Sequence, residues 1–158
     1  MAKHLLSLLA LAASATHQAL AAPTPPSLTY LYSVNLTMPA GTELGQVPYG
    51  SRALLPISGG TFSGPKLIAD TSTKPGKVGI GLDWGLTDSK GIFSPDAVYA
   101  LHTDDDSTIM VTEKGHAPHV HILFETSSDK YAWMNGIVGY ATGAPYEGGV
   151  ALDVWQVS

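Results

Sequence analysis

The sequence predicts an all-β fold: a single compact antiparallel β-barrel of about eight or nine strands, calycin-like, with a central ligand cavity. Three observations carry this. Seventeen glycines and eleven prolines fall between short apolar runs in a chain of 158 residues. Within those runs apolar and polar residues alternate with a period of two, as in strands with one face buried. No long stretch keeps a 3.6-residue period with capping residues, so no helix is expected.

Taken in order, the chain starts with Lys3 ahead of an eleven-residue apolar run, Leu5 to Ala15, followed by Ala19-Leu20-Ala21. A positive n-region, a short apolar core and an A-x-A site are the marks of a secretory signal peptide, and the run is too short to span a bilayer. Residues 1–21 are therefore read as a signal, and a secreted, extracellular protein is expected. Cleavage there leaves about 136 residues, with 7 basic against 13 acidic side chains and His102, His116, His119 and His121. Residues 22–27, rich in proline, form an extended entry, and 28–158 form the barrel domain. From Leu28 to Met38, apolar Leu28, Tyr30, Tyr32, Val34, Leu36 and Met38 alternate with a more polar set that includes Asn35. Asn35-Leu36-Thr37 is an N-x-T acceptor on that polar face, so a glycan is expected at Asn35.

Further strands are expected at 51–57, 61–70, 77–86, 97–103, 107–113, 119–126, 130–141 and 149–157. Turn signals such as Ser58-Gly59-Gly60, Pro75-Gly76, Asp104-Asp105-Asp106 and Glu147-Gly148-Gly149 separate them. Closing such a set into a barrel removes aggregation-prone edges.

Composition narrows function. Only 13% of residues are charged and the net charge is −5, which argues against nucleic acid, whose binders present a basic face. The absence of cysteine removes thiol nucleophiles, disulfides and thiolate metal sites. No segment after the signal has membrane-spanning length, and the G-x-S-x-G, H-E-x-x-H, phosphate-loop and dinucleotide motifs are missing. No cofactor is expected, a small molecule is the expected partner, and a homo-oligomer is compatible with the sequence.

From Gly50 onward the chain resembles a family described as domain of unknown function 3237. The residues that carry this are Gly50-Ser51-Arg52, the block Pro56 to Pro65 (PISGGTFSGP), Asp83-Trp84, Tyr99 to Asp105 (YALHTDD), Phe124-Glu125-Thr126, Lys130 to Asn135 (KYAWMN) and Leu152 to Trp155. The resemblance implies a compact antiparallel barrel and brings no catalytic set. Two departures stand out. Asp106 occupies a position where the family has glycine, which best suits a left-handed turn. The segment from Pro75 to Trp84 is longer than the family's, and beside a barrel mouth it would reshape a pocket.

Candidate site residues follow. Arg52, the single arginine, can clamp an anionic oxygen with two parallel bonds; its alternative is a structural ion pair. In 78–86 one face carries Val78, Ile80, Leu82, Trp84 and Leu86, the other Gly79, Gly81, Asp83 and Gly85. Either the apolar set fills the core, or the glycine face admits a ligand with Asp83 as its polar contact. His102 titrates near neutrality and suits general acid–base work. With Glu125 and Asn135 these make up the candidate catalytic set, and Trp84, Tyr99, Asp104 and Trp133 are candidate ligand contacts. His119, His121 and Glu125 share one strand face with metal-ligand spacing, but no later histidine completes such a centre, and the opposite face of Val120, Ile122 and Phe124 is the more apolar.

Three functions fit these residues. The first is an isomerase, cyclase or lyase of secondary metabolism that acts without a cofactor on a small, largely apolar metabolite. The second is a non-catalytic carrier with the same cavity. The third is a cupin-like metal enzyme built on His119, His121 and Glu125.

Overall fold

The computed structural model describes residues 22–67 and 75–158. The expected signal peptide lies outside the described residues, as do residues 68–70 of the strand expected at 61–70. Twelve strands are described: β1 (Leu28–Thr37), β2 (Thr42–Val47), β3 (Gly50–Ile57), β4 (Gly59–Ser63), β5 (Gly76–Asp83), β6 (Leu86–Thr87), β7 (Phe93–Ser94), β8 (Asp96–His102), β9 (Thr108–His116), β10 (His119–Glu125), β11 (Val138–Tyr146) and β12 (Gly149–Val157). Eight of them pair in the antiparallel order β4-β1-β12-β11-β10-β9-β8-β5, and β4 then pairs with β5. The ring is closed, as the fold class expected from the sequence requires.

β3 is the junction of the molecule. Its end, Leu55 to Ile57, pairs with β5 in the barrel wall. Its start pairs with β2 and β6 in a small outer sheet that also holds β7. The chain turns sharply from β3 into β4 because Gly60 can sit at φ 138° with its Cα against β1. A Cβ there would meet the Asn35 carbonyl oxygen at 2.0 Å.

Alternating residues fill the interior, among them Val34, Phe62, Leu101, Ile109, Val111, Ile122 and Val154, all at most 2% exposed. Two irregularities alter the expected alternation. The β1–β12 register shifts between Tyr30 and Tyr32, so Leu31 turns inward while Leu28 and Tyr30 are exposed. The β5–β8 register shifts between Val78 and Gly81. Val78 therefore points in, Ile80 points out at 86% exposure, and Asp83 is buried. Bulges of this kind switch the face of everything beyond them.

The strand expected at 130–141 is corrected. Asp129–Gly136 is a 3-10 helix, and β11 begins only at Val138. Tyr131 and Met134, three residues apart, are its buried side chains, and that spacing is one turn of a 3-10 helix rather than a strand period. The helix closes the barrel end formed by Thr108 and Glu125. Asn135 ties it there through both amide atoms: its Oδ1 accepts the Thr126 N–H at 2.8 Å and its Nδ2 donates to the Thr126 carbonyl at 2.9 Å. β2, β6 and β7 were not expected, and β9 runs three residues past its expected end.

Asp106 has a φ of 61°, and among the described residues it is the one non-glycine with positive φ. A non-glycine residue in this region costs about 1–2 kcal/mol. Replacing Asp106 by glycine should therefore raise stability by roughly 0.5–1 kcal/mol, which chemical denaturation would read as a higher midpoint with an unchanged slope.

Candidate active site

With one barrel end plugged by the 3-10 helix, the other holds a chamber of about 350 Å³. Leu36, Ile57, Val120 and Leu152 form its inner wall. Ala117, Pro118, Ala144 and Pro145 line it as well and are solvent-exposed, so they form its rim. Phe93 reaches the rim over Gly85, where a Cβ would strike the ring at 2.2 Å. Every lining residue is apolar or glycine except two, Asp83 and Glu113.

Strand register places these two acids. Asp83 of β5 pairs with Ala97 of β8, and Ala97 pairs with Glu113 of β9. The three lie in one row across three strands, on inward positions. Adjacent strands are about 4.8 Å apart, so the carboxyl-bearing backbones stand roughly 10 Å apart. Ala97, fully buried, carries the smallest side chain of the row.

Both carboxyl groups are buried, at 5% and 4% exposure. Burial penalises the charged form of an acid. It raises Asp83 above the usual carboxylate range, against the Asp96 backbone N–H that Asp83 Oδ1 accepts at 2.9 Å, and with a further push from the Asp96 carboxylate. Burial, then the negative charge of Asp83, pushes Glu113 up to about 8, opposed by a hydrogen bond from Tyr99. That bond is long, with the Tyr99 hydroxyl donating to Glu113 Oε2 at 3.4 Å. The charge of Asp83 thus favours the protonated form of Glu113. Two such groups titrate as a unit.

Of the expected site residues, Asp83 lines the chamber and Tyr99 stands directly behind Glu113. The others lie elsewhere. Arg52 donates through Nη1 to the Trp84 carbonyl, so it braces β3 against the end of β5. It shares an outer cleft with half-exposed Trp84 and with Asp96, Lys114 and His116. His102 is exposed at the far end of β8, bonded to the Thr108 hydroxyl at 3.1 Å. Glu125 and Asn135 are exposed at the plugged end, where Asn135 serves the cap already described. Half-buried Trp133 packs there under Lys66, whose Nζ is 5.5 Å from its ring. Asp104 is an exposed residue of the turn joining β8 to β9.

Arg52, His102, Glu125 and Asn135, expected as catalytic, do not line the chamber. His119, His121 and Glu125 lie on the exposed face of β10, opposite buried Val120, Ile122 and Phe124. His119 Nδ1 is bonded to the Tyr140 hydroxyl at 2.7 Å. Among the described residues no three His, Asp or Glu side chains are grouped to hold a metal ion. Asn35 is exposed on β1.

Glu113 was missed. Its signal was present: Ile109, Val111 and Glu113 continue one period-two face of β9, which carries a carboxylate inward.

The fold and chamber define a closed antiparallel β-barrel with a carboxylic acid pair in an apolar site. Residues 26–120 match the family described as protein of unknown function (DUF3237), and the chain belongs to that family. It is 33% identical over 150 residues to the hydroalkoxylation enzyme phnH of Penicillium herquei, an alignment spanning 95% of this chain and 96% of that one. Among solved structures, an enzyme from Penicillium herquei is 33% identical with a TM-score of 0.77, over 87% of this chain and 98% of its own. A β-barrel-like protein from Acinetobacter baumannii is 29% identical with the same TM-score, over 88% and 100%.

The buried acid has a cost in stability with a definite sign. Between about pH 4.5 and 8 folded Glu113 keeps a proton that the unfolded chain has released, so stability falls as pH rises through that window. Glu113→Gln removes the penalty. The variant should be more stable than the parent by on the order of 3 kcal/mol at pH 7, and the gap should close near pH 4. Thermal unfolding across that pH range checks both points.

Proposed function

We propose that the chamber catalyses the addition of a hydroxyl group across a carbon–carbon double bond within one small apolar molecule, closing a cyclic ether. The observation that carries this is the Asp83–Ala97–Glu113 row, which brings two buried carboxyl groups of unequal surroundings to one apolar space. The hydroalkoxylation named for the fungal relative is a reaction that asks for such a pair.

The bookkeeping of atoms closes without an electron carrier. Asp83, whose charged form the Asp96 N–H favours, takes the substrate's hydroxyl proton. The freed oxygen bonds to one alkene carbon, and Glu113 delivers its proton to the other. In the substrate one O–H and one π bond break and one C–O and one C–H bond form, while Glu113 loses an O–H bond and Asp83 gains one. The pair ends with its proton on Asp83 and resets by exchange through the rim. An alkene activated by conjugation lowers the demand on an acid with a pKa of about 8.

Apolar walls strengthen each charge interaction inside, and confinement holds oxygen and alkene in reacting geometry. A chamber of about 350 Å³ holds a single ligand of metabolite size. The net negative charge of the pair favours neutral hydroxyalkenes and disfavours carboxylates. Cyclisation is one of the reaction types expected from the sequence, with the acid–base residues now Asp83 and Glu113.

Turnover of neutral hydroxyalkenes, followed by chromatography, tests this. Asp83→Asn and Glu113→Gln should each lose at least about 100-fold in kcat, while His102→Gln stays within about twofold. Activity should fall as pH rises through about 8, where Glu113 loses its proton. Ligand binding without turnover in the parent protein would instead make this a carrier.

Secretion belongs to the same proposal, supported by the residue pattern of 1–21 and by the exposure of Asn35 on the outer wall. The secreted protein should lose mass on treatment with peptide N-glycosidase, and Asn35→Gln should abolish that loss. An unchanged mass in the native protein would remove the glycan.

A further inference from the structure

Behind Glu113 the barrel buries two tyrosines that the acid–base chemistry leaves unused. Tyr99 sits on β8, one diagonal step from Glu113, since Tyr99 pairs with Val111 and Ala97 with Glu113. Room for it comes from the neighbouring strand, where Gly81 lies so close that a Cβ would meet Tyr99 Cβ at 2.4 Å. Tyr32 enters from β1, wholly buried, its ring packed edge-on against Phe62 and Phe124 at 6.1 and 6.2 Å. Its hydroxyl lies beside that of Tyr99, without a hydrogen bond of good geometry to any neighbour.

A buried hydroxyl without a partner costs about 1–3 kcal/mol, and phenylalanine would fill the same space without that cost. The Tyr99–Glu113 bond, at 3.4 Å, is also at the long limit for two oxygens. Both interactions are slack while Glu113 holds its proton. Both improve once Glu113 becomes a carboxylate, because a charged acceptor draws in its donor, and a polarised Tyr99 oxygen accepts better from Tyr32.

We propose that Tyr99, backed by Tyr32, is a positioning residue: the two hydroxyls form a chain that tightens onto Glu113 as it gives up its proton. The inference rests on the acid–base reading of the chamber. Such a chain favours the transition state over the resting enzyme, which is the condition for raising kcat. It also fixes the geometry of transfer, since Oε2 faces Tyr99 and the proton is carried on the other carboxyl oxygen. Neither tyrosine lines the chamber, so substrate affinity is not their task. Among the described residues, the ionisable groups acting on Glu113 are Asp83 from β5, Tyr99 from β8 and Tyr32 from β1. Both tyrosines are themselves raised by burial, so they stay neutral donors throughout the working range.

The test is a carbon-13 NMR titration of the full-length protein labelled at glutamate carboxyls, with Glu113 identified by the signal that Glu113→Gln removes. In Tyr99→Phe the Glu113 midpoint should move up by about one pH unit; in Tyr32→Phe it should move up by roughly a third of that. With a hydroxyalkene substrate, kcat should fall about tenfold and about twofold, respectively, with KM unchanged in both. A midpoint that stays in place in both variants overturns the proposal, as does a rise in KM at constant kcat. A purely structural tyrosine would lower thermal stability and leave the titration alone. If Tyr99→Phe does not fold, Tyr32→Phe decides, since it keeps the ring packing and loses only an unbonded hydroxyl. If the unmodified protein turns over no hydroxyalkene, the cyclisation reading fails, and the Glu113 midpoints still decide the role of the tyrosines.

Discussion

Desolvation of two carboxyl groups inside a closed barrel is the constraint around which this molecule is arranged. The pairing of β4 with β5 closes the ring, and the 3-10 helix seals one end with Tyr131 and Met134. The chamber opens at its rim of Ala117, Pro118, Ala144 and Pro145. In that setting a charged carboxylate is expensive, and two side by side are more so. Hydrogen bonds offset part of this, Asp83 drawing on the Asp96 N–H and Glu113 on a tyrosine. The difference between the two partners is what separates a base from an acid.

The same burial links stability to function. A fully apolar barrel of this size would be the more stable object, and Glu113 opposes folding wherever the unfolded chain is ionised and the folded chain is not. The orphaned hydroxyl of Tyr32 adds to that cost. Groups that weaken the resting protein yet stay inside it are the ones expected where charge must develop during a reaction. The outer cleft around Arg52 presents the opposite case. Its charges are paired at the surface, as in Lys114 with Asp96 at 3.0 Å, where solvent leaves an ion pair little net effect.

Belonging to a family whose fungal relative is a hydroalkoxylation enzyme fits a chamber with acid–base capacity and no demand for oxidation or group transfer. Barrels of about eight strands have just enough interior for one small ligand. Here part of that interior is the chamber, walled by Leu36, Ile57, Val120 and Leu152.

The sequence alone determined the fold class. Alternation with turn signals at short spacing admits few architectures, and edge strands in a chain this size favour closure. It also marked Asp83 on a glycine-bearing face, and placed Asn35 and the His119/His121 pair on polar faces that the structure leaves exposed. What it could not determine was which polar residues meet. Asp83, Ala97 and Glu113 come from three strands, and their row depends on the register of two separate pairings, one interrupted by a bulge after Val78. A shift of one residue would turn Asp83 to solvent. His102, Glu125 and Asn135 look equally chemical in the sequence, and only the direction of each strand along the barrel put them at the plugged end. Period two fixes which side of a wall a residue faces; its height in the barrel is set by long-range pairing, and that was decided by the tertiary structure alone.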